Sequence, residues 1–437
     1  MKTIFTADKV LDGLEFRERW GLLVEGGEIL TIGPIYMLPK KGIERVRYPG
    51  CALLPGCVNA HNHSFQSLLR GFGVDMGFFD WRDKALYRFS PLLGPEEVHV
   101  GALFAFSEMI RNGITTVADF FYIHDNGNEN CEAVIEAAKL LGIRLVLART
   151  MYDWEGAPKK YIEAVDDAAH RCRGLIKKYN ASPDRMITVH PAPHSLHAAS
   201  PEMIRAGFQV AEESNTPCHI HVAEGRYERE QVEARHGAPP IKFLDRLGVL
   251  SERMLAVHCV WLDDEELDLM AKRGAKLAYN PSSNMFLGDG ITRIPDMLRK
   301  GITISLGTDG ACSNNMLNIF MEMRQAALLQ KVARLDPAVI SAPQVFRMGT
   351  EGGGIALNLP VGIFRPGYKA DFVAIDLNHP SLHPPQNLLN HIVYSLSPQA
   401  IHAVVINGRE VYKEGRILTI DEKQLLERVR RITQGWI

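Results

Sequence analysis

Between residues 53 and 331 the chain keeps a rhythm that few folds can accommodate: short apolar, β-branched runs alternate with longer segments of helical spacing. The runs are LLPGCVNAH (53–61), ITTVADFF (114–121), IRLVLART (143–150), MITVHPAP (186–193), CHIHVAE (218–224), MLAVHC (254–259), AKLAYNP (275–281) and TISLGTD (303–309). The segments between them include 130–141, 161–179, 201–214, 263–273 and 314–331. Parallel strands need such crossovers, so the expected class is α/β. Eight strand–helix units are the arithmetic of a (β/α)8 TIM barrel, here residues 56–359, and a doubly wound open sheet is the competing arrangement.

The flanks read differently. LLVEGGEILTIG (22–33) is two apolar runs around Gly26-Gly27, and AVVINGREVYKEGRIL (403–418) carries the Asn407-Gly408 hairpin signal. These strand-rich ends predict one small β-sandwich built from residues 1–55 and 360–437.

Polar residues favour the barrel. His61 and His63 follow the first run, His194 the fourth, His221 and Glu224 end the fifth, His258 the sixth and Asp309 the eighth. In a barrel the C-terminal strand ends form one face, so residues far apart in sequence converge on one pocket. His61-Asn62-His63 places two imidazoles on one side of an extended segment, because side chains alternate with period two. A third histidine and an aspartate complete a mixed nitrogen and oxygen set suited to Zn2+ or a similar divalent ion. His219 shares its strand with His221 and reads as a hydrogen-bonding residue, while Cys218 and Cys259 read as packing.

Charge and cysteine usage exclude other classes. Forty-nine Lys plus Arg against 51 Asp plus Glu leaves a net charge of -2 with no basic stripe, which argues against nucleic acid. Seven scattered cysteines without a Cys-x-x-Cys pair do not make a disulfide framework, so a reducing cytoplasm is expected. The N-terminus has no apolar signal core, and no stretch reaches the ~18 apolar residues of a membrane span.

PGCVNAHNHSFQSLLRG (55–71), HIHVAE (219–224), VHC (257–259), LGTDGACSNN (306–315) and GYKADFVAID (367–376) together resemble the deaminase branch of the amidohydrolase superfamily. The resemblance implies that His61, His63, His221 and Asp309 bind one divalent metal, zinc or, as an alternative, Fe2+. It implies Glu224 as proton shuttle and His258 beside the water or the developing tetrahedral centre, making Glu224, His258 and Asp309 the catalytic set. Two-metal members carry a lysine at the end of strand four, and MITVHPAPHS (186–195) has none, so one metal is expected. A homodimer acting on a small molecule is the family expectation.

Two branches compete over substrate. VHCVWLDDEE (257–266), YNPSSNM (279–285) and GTDGACSNNMLNIFMEMR (307–324) look like the methylthioadenosine/S-adenosylhomocysteine deaminases. Those enzymes carry a ribose-binding Glu about nine residues after a Trp, and counting from Trp81 the position is Ser90. HSFQ (63–66), WRDKALYR (81–88), DFFYIH (119–124), APHSLHA (192–198) and GDGI (288–291) resemble formiminoglutamate deiminase instead. That resemblance implies Gln66, Arg82, Tyr122 and His194 around the substrate, with His197 where the family has a carboxylate-binding Arg. An imidazole cannot reproduce the bidentate fork of a guanidinium, so a changed substrate is expected. The combined expectation is a metal-dependent deaminase replacing an amidine-type C–N bond by C=O, on an aminopurine, pterin, triazine or formimino group. Formiminoglutamate deiminase proper, methylthioadenosine/S-adenosylhomocysteine deaminase and a triazine chlorohydrolase-like enzyme are the alternatives. The stretches 72–90, 122–130 and 151–160 are expected to wall the pocket.

Overall fold

The computed structural model describes residues 2–39, 42–125 and 127–436. The eight apolar runs form β1 (Cys57–Asn62), β2 (Ile114–Phe121), β3 (Arg144–Met151), β4 (Ile187–Pro193), β5 (Cys218–Val222), β6 (Met254–His258), β7 (Lys276–Tyr279) and β8 (Ile304–Leu306). They pair in chain order as two four-stranded sheets, β1 to β4 and β5 to β8, and every pairing is parallel. Every residue of β2 and β3 is buried, as expected for strands covered on both faces, and that is why their sequences read as runs rather than alternations. The edges of the two sheets meet at both ends: a parallel bridge joins Ser195, after β4, to His221 of β5, and the Asp309 amide after β8 donates to the His61 carbonyl at 3.0 Å.

Local chemistry sets the crossovers. Ser200 accepts from the Met203 amide at 3.1 Å and starts the helix Pro201–Ser214. Asp263 and Glu266 cap the helix Asp264–Arg273 reciprocally, and Gly274 ends it at φ +71, a left-handed conformation that costs glycine little. The apolar faces of the helices pack on the strands in one continuous core that includes Phe106, Val117, Leu147, Val189 and Ile220.

Both chain ends enter one nine-stranded mixed sheet. Its order is Arg416–Ile417, Arg409–Lys413, Ile401–Ile406, Phe372–Asp376, Glu44–Pro55, Lys2–Asp12, Trp20–Glu25 and Glu28–Pro34, with Glu15–Glu18 beside Lys2–Asp12. Both expected hairpins are present, and Asn407 and Gly408 turn at φ +51 and +74, as a two-residue hairpin loop requires. One side of the sheet carries a core of its own, with Phe5 and Phe372 rings 5.0 Å apart. Arg144 at the start of β3 reaches Asp371 of this sheet with two hydrogen bonds, at 2.7 and 3.0 Å. The final helix, Glu422–Thr433, returns to the helix Pro95–Arg111 through an Arg111–Glu422 pair. Among the described residues, no helix is long and apolar enough to cross a membrane.

Candidate active site

The C-terminal ends of the strands carry the candidate residues. β1 loses register against β2 between Asn59 and Asn62, and a bulge of this kind re-aims side chains. Asn59 holds the distorted segment by bonding Thr308 in both directions, at 2.7 and 3.0 Å. On the other side, buried Asp119 accepts from Asn62 Nδ2 at 3.1 Å and from the amide and hydroxyl of Ser64 at 2.6 Å each. His61 and His63 thereby project together, ring centroids 4.7 Å apart. Gly307 lets the end of β8 come this close, since a Cβ there would sit 2.9 Å from that of His61.

Distances across the cluster suit one ion. His63 Nε2 is 3.2 Å and His61 Nε2 3.6 Å from Asp309 Oδ1, and His221 Nε2 is 3.2 Å from His61 Nε2. Donor atoms of His61, His63 and Asp309 lie within 4.8 Å of one another, as do those of His61, His221 and His258. The outer nitrogens decide what the inner ones can do. His63 Nδ1 is 2.6 Å from the Phe120 carbonyl and His221 Nδ1 is 2.9 Å from the His194 carbonyl. Carbonyls only accept, so both Nδ1 atoms carry the proton and both Nε2 lone pairs face inward. Inward lone pairs beside a buried carboxylate are the donor set of a divalent cation, with ring orientation fixed from behind. The chemistry of the residues therefore fits a metal.

Electrostatics agree. Burial lowers His61 to about 3 and holds His221 well below the usual imidazole value, so these rings are neutral. Burial alone would raise Asp309, yet its close contacts with the His61 and His63 rings hold its carboxyl well below the usual range. Ser283 Oγ and the Gly310 amide also donate to it, at 2.7 and 2.8 Å. Glu224 behaves oppositely: burial, then the charges of Asp289, Asp309 and Glu228, push it well above the carboxylate range. Its Oε1 lies 3.5 Å from His258 Nε2, and its amide donates to Glu228 Oε2 at 2.9 Å. Ala223, His258, Cys259 and Asp309 all have left-handed backbone, φ +48 to +72, strain that concentrates at sites of function.

The cleft above the cluster is lined by His63, His194, His197, His221, Glu224, His258 and Asp309 and otherwise mostly by aromatic side chains. Arg82 lines it too, its guanidinium over the rings of Phe79, Tyr87 and Trp154 and paired with Asp83. Tyr122 lines it, and Gln66 stands behind, donating to the Tyr122 hydroxyl at 3.0 Å. His194 stacks on His221 at 4.9 Å, and His197 Nδ1 is 3.8 Å from buried Glu228. Ser90 is fully buried against the Tyr161 hydroxyl. The stretches 72–90 and 151–160 contribute Trp81, Tyr87 and Tyr152; of 122–130 only Tyr122 does, and Asn126 lies outside the described residues.

Sequence reasoning missed Glu228, Ser283, Asn284 and Asp289, which touch the metal-type cluster or its neighbours, and Tyr87 and Tyr161 in the wall. YNPSSNM and GDGI stand out as motifs, but their individual side chains carry no signal until the fold brings them beside His258.

A cluster of metal-type ligands at the C-terminal ends of parallel strands, with a carboxyl raised by burial at its edge, is an arrangement suited to a divalent cation. Residues 52–411 match the family model described as Amidohydrolase family, and the chain belongs to that family. It is 33% identical over 427 residues to a 5-methylthioadenosine/S-adenosylhomocysteine deaminase of Syntrophobacter fumaroxidans, covering 97% of this chain and 94% of the relative. It is 34% identical over 424 residues to a 5'-deoxyadenosine deaminase of Methanothermobacter thermautotrophicus, covering 97% and 96%. Among solved structures, an adenosine deaminase from Xanthomonas campestris with bound zinc superposes with a TM-score of 0.92 at 27% identity, covering 98% and 97%. An atrazine chlorohydrolase from Arthrobacter aurescens TC1, complexed with zinc, gives 0.92 at 26% identity, covering 98% and 99%.

Proposed function

We propose that this chain is a hydrolytic deaminase that exchanges the amino group of an amidine unit in a planar heterocycle for oxygen: C–NH2 plus water gives C=O plus ammonia. The observation that carries the reading is the single buried cluster of His61, His63, His221 and Asp309 with Glu224 and His258 at its edge. His61, His63, His221 and Asp309 hold one divalent metal, zinc being best suited to three imidazoles and a carboxylate, with Fe2+ the alternative. When bound, such a cation supplies Lewis acidity and brings the pKa of a water at its open position toward ~7.

The chain's own residues move the protons. Glu224, raised by burial and neighbouring charge, delivers its proton to the ring nitrogen and takes one from the attacking water; it passes that proton to the amino group, which leaves as ammonia, and recovers the hydroxyl proton as the C=O forms. Asp309, held ionised, accepts hydrogen bonds on the other side, and His258 faces the oxygen joining the substrate carbon. Tyr122, backed by Gln66, walls the substrate together with His194 and His197, and Arg82 offers a cation at the mouth.

The names of the relatives support an adenine-type amidine as the reacting unit. The cleft lining, among the described residues, carries carboxylates only at the metal end, Glu224 and Asp309, and Ser90 is sealed by Tyr161. This supports recognition of a flat ring rather than of sugar hydroxyls.

The test is ammonia release by zinc-loaded protein with S-adenosylhomocysteine, methylthioadenosine, 5'-deoxyadenosine, guanine, pterins, aminotriazines and formiminoglutamate. A heterocycle deaminated by wild type and not by Glu224→Gln is the expected result. Zinc retained with silence across the panel would overturn it, and chloride release from a chlorotriazine would move the reading to dehalogenation.

The same reading takes the two parallel sheets as halves of one (β/α)8 barrel, residues 56–359, supported by the Ser195–His221 bridge and the Asp309–His61 bond. It takes residues 1–55 and 360–437 as the flanking β-sandwich domain, supported by the sheet that unites strands from both ends. A cytoplasmic location is supported by seven free, buried cysteines. A homodimer follows from family resemblance and is checked by light scattering.

A further inference from the structure

His258 differs from the neighbouring imidazoles in what stands behind it. His63 and His221 have carbonyls behind Nδ1, whereas His258 Nδ1 faces two side-chain amides, Asn284 Nδ2 at 3.0 Å and Asn280 Nδ2 at 3.4 Å. The orientation of the Asn284 amide is set by its second contact, 3.2 Å from Nδ2 to Asp289 Oδ2. Reversing the amide would turn its oxygen toward an Asp289 oxygen and take its donor away from both Asp289 and His258. The Asn284 amide has two N–H groups, and both are used, one on each neighbour.

The surrounding loop is built to keep Asp289 there. The Asp289 amide donates to the Asn284 carbonyl at 2.9 Å, and the Trp261 indole donates to the Asp289 carbonyl at 2.7 Å. Gly290 takes φ +127, where a Cβ would sit 2.9 Å from Val260 Cγ1, so the Gly-Asp-Gly turn can lie directly over the segment that follows β6. Thr292 closes the contact by donating to the His258 carbonyl at 2.9 Å.

We propose that Asn284, oriented by Asp289, is a positioning residue that fixes the tautomer of His258 with the proton on Nε2. A neutral imidazole has one N–H, and two amide donors on Nδ1 leave it bare. The proton on Nε2 then points toward Glu224 Oε1 at 3.5 Å and Asp309 Oδ2 at 3.9 Å, and Nε2 has no hydrogen-bond partner among the described residues. His258 is therefore a hydrogen-bond donor held for the oxygen that joins the substrate carbon, and not a fourth imidazole ligand. The structural consequence stands by itself; the catalytic one rests on the deaminase reading above.

Long-range nitrogen–proton NMR of the zinc-loaded, histidine-labelled full chain tests it, with the His258 signal assigned by its loss in His258→Asn. The expected wild-type signal is a bare Nδ1 and a protonated, uncoordinated Nε2. Asn284→Asp replaces the donor by an acceptor and should move the proton to Nδ1, with zinc stoichiometry unchanged. On the best substrate kcat should fall by ~100-fold or more while KM shifts a few-fold, given that a wrong imidazole tautomer lowers kcat by on the order of 10⁴ in serine proteases. Should that variant fail to fold, Asn284→Leu removes the donor without adding charge and should give a tautomer mixture. A proton on Nδ1 in wild type, zinc on Nε2, or an unchanged tautomer in the folded variant overturns the proposal. If wild type turns over nothing, the deaminase reading fails, and the tautomer is still decided by the NMR signal.

Discussion

Among the buried ionisable groups at the N-terminal ends of the parallel strands are Arg144 and Asp371; among those at the C-terminal ends are Asp309 and Glu224, beside His61, His221 and His258. Both groups are removed from water, and they are treated in opposite ways. Arg144 makes its two bonds to Asp371 and a third to the Asp184 carbonyl at 2.6 Å, and Asp371 also accepts from the Asn407 amide at 2.7 Å. At the other end His61 Nδ1 and His258 Nε2 have no protein partner among the described residues, Glu224 is raised, and four residues hold left-handed backbone. The Arg144–Asp371 pair fastens a strand to the flanking sheet, whereas at the other end imidazole nitrogens are left without a protein partner among the described residues.

The largest effect should come from the chemical end. Glu224→Gln keeps the ligand set intact, so zinc should remain bound while kcat falls by ~10²- to 10⁴-fold. Stopped assays paired with metal analysis check it, and near-normal turnover would remove Glu224 from its role. At the fastening end Arg144→Met leaves Asp371 buried without its cation, for which ~3–5 kcal/mol of stability is expected to be lost. Urea unfolding measures this; kcat of the remaining folded enzyme should be unchanged, and a comparable loss of kcat would break the division between the two ends.

Adding zinc to metal-free protein should stabilise it by ~2.7 kcal/mol at a hundredfold excess over Kd. The shift in urea midpoint should vanish in Asp309→Ala, and if it persists the ion is bound elsewhere. The smallest effect concerns the pocket wall. Burial would raise Glu163, but His124, Arg149 and Arg171 hold it at about 2, against an ordinary 4.5. A depressed carboxyl contributes stability that is fully present above pH 4.5 and is lost as pH falls toward about 2. Glu163→Gln should remove roughly 1.5–3 kcal/mol at neutral pH and flatten the acid limb of the stability curve. An unchanged acid limb would show that another group governs it.

Much of this was legible in the chain. The helix Pro201–Ser214 has the bounds its helical spacing predicts, and the eight strands fall within or beside their apolar runs. Where boundaries moved, tertiary contacts moved them. The segment expected at 314–331 becomes helical only at Ile319–Arg334, because Asn314 is drawn to the Thr308 carbonyl and Glu322, and Asn318 caps the helix. The segment expected from 161 starts at Val165, because Tyr161 is committed to the pocket wall and Glu163 to Arg149. His61, His63, His221, Glu224, His258 and Asp309 were visible because each sits at or just past the end of an apolar run, where a buried polar group needs a reason. Glu228, Asn284 and Asp289 were not, since acidic and amide residues in a loop look alike until their neighbours are known.

The sequence by itself determined the alternation of strand and helix, the hairpins at both ends and the residue types able to hold an ion, because propensity, turn chemistry and side-chain periodicity act over a few residues. Only the tertiary structure decided which groups stand behind each imidazole, that the Glu224 carboxyl is raised while that of Asp309 is lowered, and that Arg144 finds Asp371. Protonation follows burial and through-space neighbours, and residues separated by 227 positions become neighbours only when the strands have closed on one another.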